Sequence, residues 1–172
     1  MTFVHIATAS LIVAASTVTA TAQPVPAKAP GAPSAWSISA DPGRGAAEIA
    51  ATAKDGAGRL ILGCSKAGEP ELAGVIAGYR GAGLRTDGAV EPALLYASGE
   101  DWRDAFSIRL RYSAARRGWE LAHPLSPLFL RSFSRGSSLV LVNSQNQEVL
   151  AFDLTGSTAA TRAMRTTCGL AD

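Results

Sequence analysis

Two cysteines, Cys64 and Cys168, are all that this 172-residue chain carries, and whether they meet decides much of what it can fold into. A bond between them would close a loop of roughly 100 residues and tie the last packed turn of the chain to an early segment. In the chain-entropy account, closing such a loop removes freedom from the unfolded chain worth about 4 to 5 kcal/mol. Pairing requires an oxidising compartment, and the start of the chain bears on that. Met1 to Ala22 holds no Lys, Arg, Asp or Glu, has an apolar run at Leu11-Ile-Val-Ala-Ala, and ends in Ala20-Thr-Ala22 before Gln23. This is the pattern of a signal peptide (1–22) cleaved at small residues, although its n-region lacks a basic side chain. The apolar run is too short and too rich in Thr and Ser to span a bilayer comfortably, and no Cys follows the cleavage motif. A periplasmic or secreted protein is therefore expected, with a Cys64–Cys168 disulfide and no stable membrane insertion after cleavage. The alternative, a reactive thiol, needs a neighbour that lowers its pKa, and the sequence around either cysteine offers none.

Gln23 to Ser34 is rich in Pro and Ala and reads as an extended leader (23–34). Residues 35–172 then suffice for one core and one domain. With 16 basic and 14 acidic residues the net charge is +2, and without a run of like charges nothing points to nucleic acid as a partner.

Period-two patterns dominate this domain. Trp36-Ser-Ile-Ser, Ala46 to Ala53, Arg59-Leu-Ile-Leu-Gly-Cys64, Leu72 to Tyr79 and Ala89 to Ala97 read as short strands, with Asp55-Gly-Ala-Gly58 a hairpin signal. Pro92 suggests an edge position or a bulge. Phe106 to Tyr112 alternates most cleanly, with Phe106, Ile108, Leu110 and Tyr112 on one face and Ser107, Arg109 and Arg111 on the other. Trp119-Glu-Leu returns, His123-Pro-Leu-Ser-Pro breaks pairing, and Leu128 to Phe133 fits a short helix ended by Gly136, burying Leu128, Leu130 or Phe129, and Phe133. Ser138 to Val142 and Glu148 to Asp153 form a final hairpin. The chain then enters a closing helix capped by Ser157 and ended by Gly169, with Ala160, Ala163, Met164, Thr167 and Cys168 on its packed face. Thr158, Thr161, Arg162, Arg165 and Thr166 fall on its polar face. The fold class expected is mainly β: an antiparallel β-sandwich or partly open barrel of about eight strands with a C-terminal helix.

Catalytic machinery is hard to assemble from these residues. After the signal peptide one histidine remains, His123, too few for a His-rich metal site. Ser126, Ser137 and Ser138 offer nucleophiles, but no Gly-x-Ser-x-Gly elbow is present. Gly78-Tyr-Arg-Gly-Ala-Gly83 lacks the Lys-Ser/Thr ending of a phosphate loop. Neither a metal nor a cofactor is expected. Glu100, Asp101 and Asp104 beside Trp102 form the one arrangement suited to a sugar, set against the plainer reading of a solvated loop. Arg109 and Arg111, with Arg116 and Arg117 at the next turn, form a basic stripe able to meet a carboxylate or phosphate. The candidate partner-binding residues are therefore Trp102, Asp104, Arg109 and Arg111.

Phe152-Asp-Leu-Thr-Gly156, followed by Ala160 and Cys168, gives an "F-x-L-x-G … A … C" ending. In this, and in Trp36, Leu60-Ile-Leu-Gly-Cys64, Trp102, Phe106 and Leu139-Val-Leu-Val, the chain resembles exported proteins of the invasion-associated locus B type and periplasmic accessory proteins of type VI secretion. The former tend to carry additional cysteines. The resemblance implies a periplasmic β-rich domain of accessory or envelope function and no enzyme activity. The leading expectation is a non-catalytic protein that binds a partner of the cell envelope or secretion machinery. Two alternatives stand beside it: an inhibitor of a cell-wall hydrolase or protease, and a glycan-acting enzyme using Glu100, Asp101 and Asp104.

Overall fold

The computed structural model describes residues 36–65 and 71–170. The expected signal peptide and leader lie outside the described residues. Among the described residues, the chain forms β1 (Ser37–Asp41), β2 (Ala46–Thr52), β3 (Arg59–Ser65), β4 (Glu71–Ala77), β5 (Val90–Ser98), β6 (Arg103–Ser113) and β7 (Gly118–Leu121). Helix α1 (Pro127–Arg135), β8 (Ser138–Asn143), β9 (Glu148–Asp153) and helix α2 (Ser157–Cys168) complete it. No helix among the described residues is long and apolar enough to cross a membrane.

All nine strands join one antiparallel sheet in the order β1-β2-β3-β4-β7-β6-β5-β8-β9. The first four run as a meander, held in register by Ile49, which lies opposite Ile38 on one side and Leu62 on the other. The next three form a second meander laid down in reverse. Its last strand, β7, lies beside β4 through Val75 to Ala77, and its first, β5, is left to pair with β8. The sheet curls into a half-barrel, whose far edges approach one another. Lys54 N–H, just past β2, donates to Ala151 O on β9 at 2.7 Å, and Trp36 Nε1 donates to Asp153 O at 2.8 Å. Of the two architectures expected, this is the partly open barrel, with nine strands among the described residues.

Core-facing residues recur at every second position, as pleated strands require. Leu60, Leu62 and Cys64 of β3, Leu95 and Ala97 of β5, Ile108 and Leu110 of β6, and Leu139 and Leu141 of β8 belong to one buried cluster. The helices complete it with Phe129, Leu130 and Phe133 from α1 and Ala160, Met164 and Cys168 from α2. Phe106 meets Phe129 edge-on at 5.3 Å and Trp36 meets Phe133 at 4.7 Å, each pair contributing about 0.5 to 1.5 kcal/mol beyond its buried area. Cys64 and Cys168 are disulfide-bonded across 6.1 Å between Cα atoms. The bond fastens the end of α2 to the inner face of β3.

Several local expectations need correction. The residue that caps α2 is Gly156, at φ 86°, a left-handed conformation that glycine adopts without strain. Ser157 is the first helical residue, and its Oγ donates to Phe133 O at 2.9 Å. Gly169 does end α2 in the left-handed conformation, its N–H donating to Arg165 O at 2.9 Å. Thr161, expected on the polar face, is buried, because α2 packs against β1 and β2 and also against α1, which widens its covered stripe. Leu128 is 64% exposed, while Phe129, Leu130 and Phe133 form the packed side of α1. Pro92 lies in an interior strand, one residue beyond the β8 ladder that begins at Ala93, so no β8 partner is opposite it.

Candidate functional site

β6 runs unbroken from Arg103 to Ser113, so alternation sorts its side chains onto two faces. Ile108 and Leu110 turn inward, with Phe106 and Tyr112 partly buried beside them, while Arg103, Arg109 and Arg111 point outward and are exposed. Asp104 shares the inward parity but lies where α1 passes, and its Oδ2 accepts a hydrogen bond from Ser132 Oγ at 2.6 Å. Trp102, half-buried, closes the β5–β6 hairpin. Its carbonyl accepts from Gly99 N–H at 3.0 Å, and the Arg135 guanidinium sits 5.9 Å from the centre of its ring. The four residues singled out from the sequence thus divide into two pairs. Trp102 and Asp104 fasten the hairpin to α1, while Arg109 and Arg111 lie on the face opposite Asp104, five and seven residues or about 17 and 23 Å along the strand from it. Glu100 and Asp101 are exposed at the hairpin turn.

The outer face of β5 and β6 carries more than the sequence singled out. Across from the arginines, β5 presents Val90, Pro92, Leu94 and Tyr96, paired in register with Arg111, Arg109, Ser107 and Ala105. The Arg103 guanidinium lies 3.8 Å from the centre of the Tyr96 ring, a cation–π contact that fixes its direction. Val90 is 39% exposed. Glu120 lies opposite Arg111 in the β6–β7 ladder, but its carboxylate is bound to Arg116 Nε at 2.8 Å. Among the described residues, Arg103, Arg109 and Arg111 form no ion pair with a carboxylate. Alternation in Val90 to Tyr96 was the signal that could have added Tyr96 and Val90.

A hollow of about 710 Å³ opens where the chain leaves β6 for β4. Ala122 N–H still donates to Arg109 O at 2.8 Å, but Leu125 N–H donates to Leu72 O, also at 2.8 Å. Phe106, Ile108 and Leu125 line the hollow, together with Arg109, His123 and Asn146. Ser126, on the same wall, is the N-cap of α1, its oxygen accepting from Leu128 N–H at 3.3 Å.

Two buried polar side chains that sequence reasoning passed over hold the long connection between β4 and β5. Glu91, 5% exposed, accepts from Arg85 N–H at 2.7 Å, and Trp119 Nε1 donates to Arg85 O at 2.7 Å. Asn143 donates to Gly83 O at 3.0 Å, and its Oδ1 accepts from the N–H groups of Gln145 and Gln147. Further out, a hydrogen bond from the Arg85 guanidinium is the main cause that holds the Asp87 carboxyl below its usual range, with Ala89 N–H assisting. These contacts anchor the loop, and Glu91 is the buried carboxylate among the described residues. Among the described residues, no group of three or more His, Cys, Asp or Glu side chains is placed to hold a metal ion. Compared with family models, with curated proteins and with solved structures, the chain matches none.

Proposed function

We propose that this chain is an exported, disulfide-stapled β-domain that works by binding, and that the outer face of β5 and β6 docks an acidic surface of another protein of the cell envelope or of a secretion machinery. The observation that carries the reading is the row of outward guanidinia at Arg103, Arg109 and Arg111, none paired with a described carboxylate and all bordered by apolar β5 side chains. Arginine beside aromatic and apolar groups is the chemistry that protein interfaces favour. Exposed pairs on one surface add little to its own stability, whereas guanidinia without partners can meet carboxylates on another and steer its approach. Arg103 is already ordered by Tyr96, so less freedom is lost on docking. The export reading rests on the Cys64–Cys168 bond together with the signal-like start of the sequence, and it agrees with the resemblance to periplasmic accessory proteins.

The test is photo-crosslinking in intact envelope, with the reactive group placed at Ala105 on the outer face and, as a control, at Ser134 on α1. A single neighbour captured from Ala105 and lost on Arg109→Glu with Arg111→Glu is the expected result. Capture that survives both charge reversals, in protein that keeps its disulfide, would remove this surface from consideration.

A further inference from the structure

Helices α1 and α2 contain four arginines, Arg131, Arg135, Arg162 and Arg165, and no acidic residue. Between them lies a cavity of about 460 Å³, walled by Ser134 of α1 and by Thr158, Thr161, Arg162 and Arg165 of α2. Most hydroxyls here are engaged: Thr158 Oγ1 donates to Ser134 O at 2.6 Å, and Ser134 Oγ donates to Arg131 O at 2.9 Å. Thr166, at the next turn, returns its hydroxyl to the carbonyl of Arg162 at 3.0 Å, as helical threonines commonly do. Thr161 does not. It is 3% exposed, and its Oγ1 has no hydrogen-bond partner among the described residues.

A buried hydroxyl without a partner is unfavourable, and a mid-helix threonine has an easy local remedy that this one leaves unused. The neighbouring Arg162 is exposed and forms no ion pair with a described carboxylate. A fixed positive charge, a cavity and an unengaged donor therefore coincide, on a pair of helices that supplies no competing negative charge. We propose that this cavity binds the oxyanion group of a small anionic ligand, a phosphate, sulfate or carboxylate, with the Arg162 guanidinium supplying charge and Thr161 Oγ1 a hydrogen bond. Because Oγ1 is sealed within the wall, this hydrogen bond requires Thr161 to turn about χ1 as the ligand enters. The site is separate from the outer face of β5 and β6.

The test is an NMR titration of the oxidised protein with inorganic phosphate, with sulfate and with acetate, each at constant ionic strength. Saturable shifts at Thr161 and Arg162 are expected, with affinity about tenfold weaker in both Thr161→Val and Arg162→Gln. Thr161→Val replaces a hydroxyl by a methyl of similar size, and unchanged signals elsewhere verify its fold. A response to phosphate or sulfate alone supports the proposal and identifies tetrahedral oxyanions, and an equal response to acetate supports it and includes carboxylates. Shifts that never saturate, or that saturate identically in both variants, overturn it. The Arg109→Glu, Arg111→Glu protein should titrate like the parent, so failure here is distinguishable from failure of the outer-face reading.

Discussion

Asp153 closes β9 with two different groups. Its carboxylate accepts from Thr155 N–H at 2.7 Å, while its backbone carbonyl receives Trp36 Nε1. The Thr155 side chain first, then the Thr155 backbone, and Lys54 at longer range hold the Asp153 carboxyl below its ordinary value. A carboxylate depressed in the folded state adds stability above its unfolded pKa and loses that contribution as pH falls through the folded value. Stability should therefore decline on the acid side, beginning near pH 4. Asp153→Asn should cost about 0.5 to 1.5 kcal/mol at neutral pH and make the acid decline shallower, as urea midpoints at neutral and acid pH would show. Leu128 and Thr161 mark what single residues conceal. An apolar side chain on α1 is exposed and a polar one on α2 is buried, because burial depends on how many elements surround a helix, which periodicity alone does not report.

At the level of elements, β7 is the narrow seam between the two meanders. A Cβ added at Gly118 would sit 2.6 Å from Ile76 O and 3.3 Å from Ala77 Cα, and backbone neighbours cannot swing aside as side chains can. Gly118→Ala should cost about 1 to 3 kcal/mol, read as a lower thermal midpoint with earlier amide exchange in β4 and β7. On α1, Phe133→Ala should cost about 3 to 5 kcal/mol, whereas Leu128→Ser should stay within about 0.5 kcal/mol, and denaturant titrations of the two check the contrast. The strands themselves were largely legible: Phe106 to Tyr112 showed its faces, and Asp55-Gly-Ala-Gly58 marked a hairpin. Their order was not, because the reversed placement of β5 to β7 between β4 and β8 rests on pairings between distant segments. Parity in the sequence places two of the four candidate residues on one face of β6. Arg109 and Arg111 share a face by parity, but Trp102 and Asp104 were grouped with them by nearness in sequence, and alternation carries Asp104 to the other side.

For the whole molecule, the Cys64–Cys168 bond spans 104 positions and joins the first meander to the last helix. Replacing both cysteines by serine should lower unfolding stability by about 4 to 5 kcal/mol in the chain-entropy account, measured by denaturant titration against the oxidised parent. Cysteine count and compartment point to that pairing without knowledge of the fold. What neither feature announced was the joining of the sheet's far edges by the bonds from Lys54 and Trp36 to β9. The bond also turns most of the described chain into a covalent ring. A protease that cuts it once between Cys64 and Cys168 leaves a nicked molecule in one piece, with both fragments still linked. A pull on the two ends of the chain lengthens only what lies outside the ring, so the meander of β5 to β7 and the hairpin of β8 and β9 bear no load while the sulfurs stay joined.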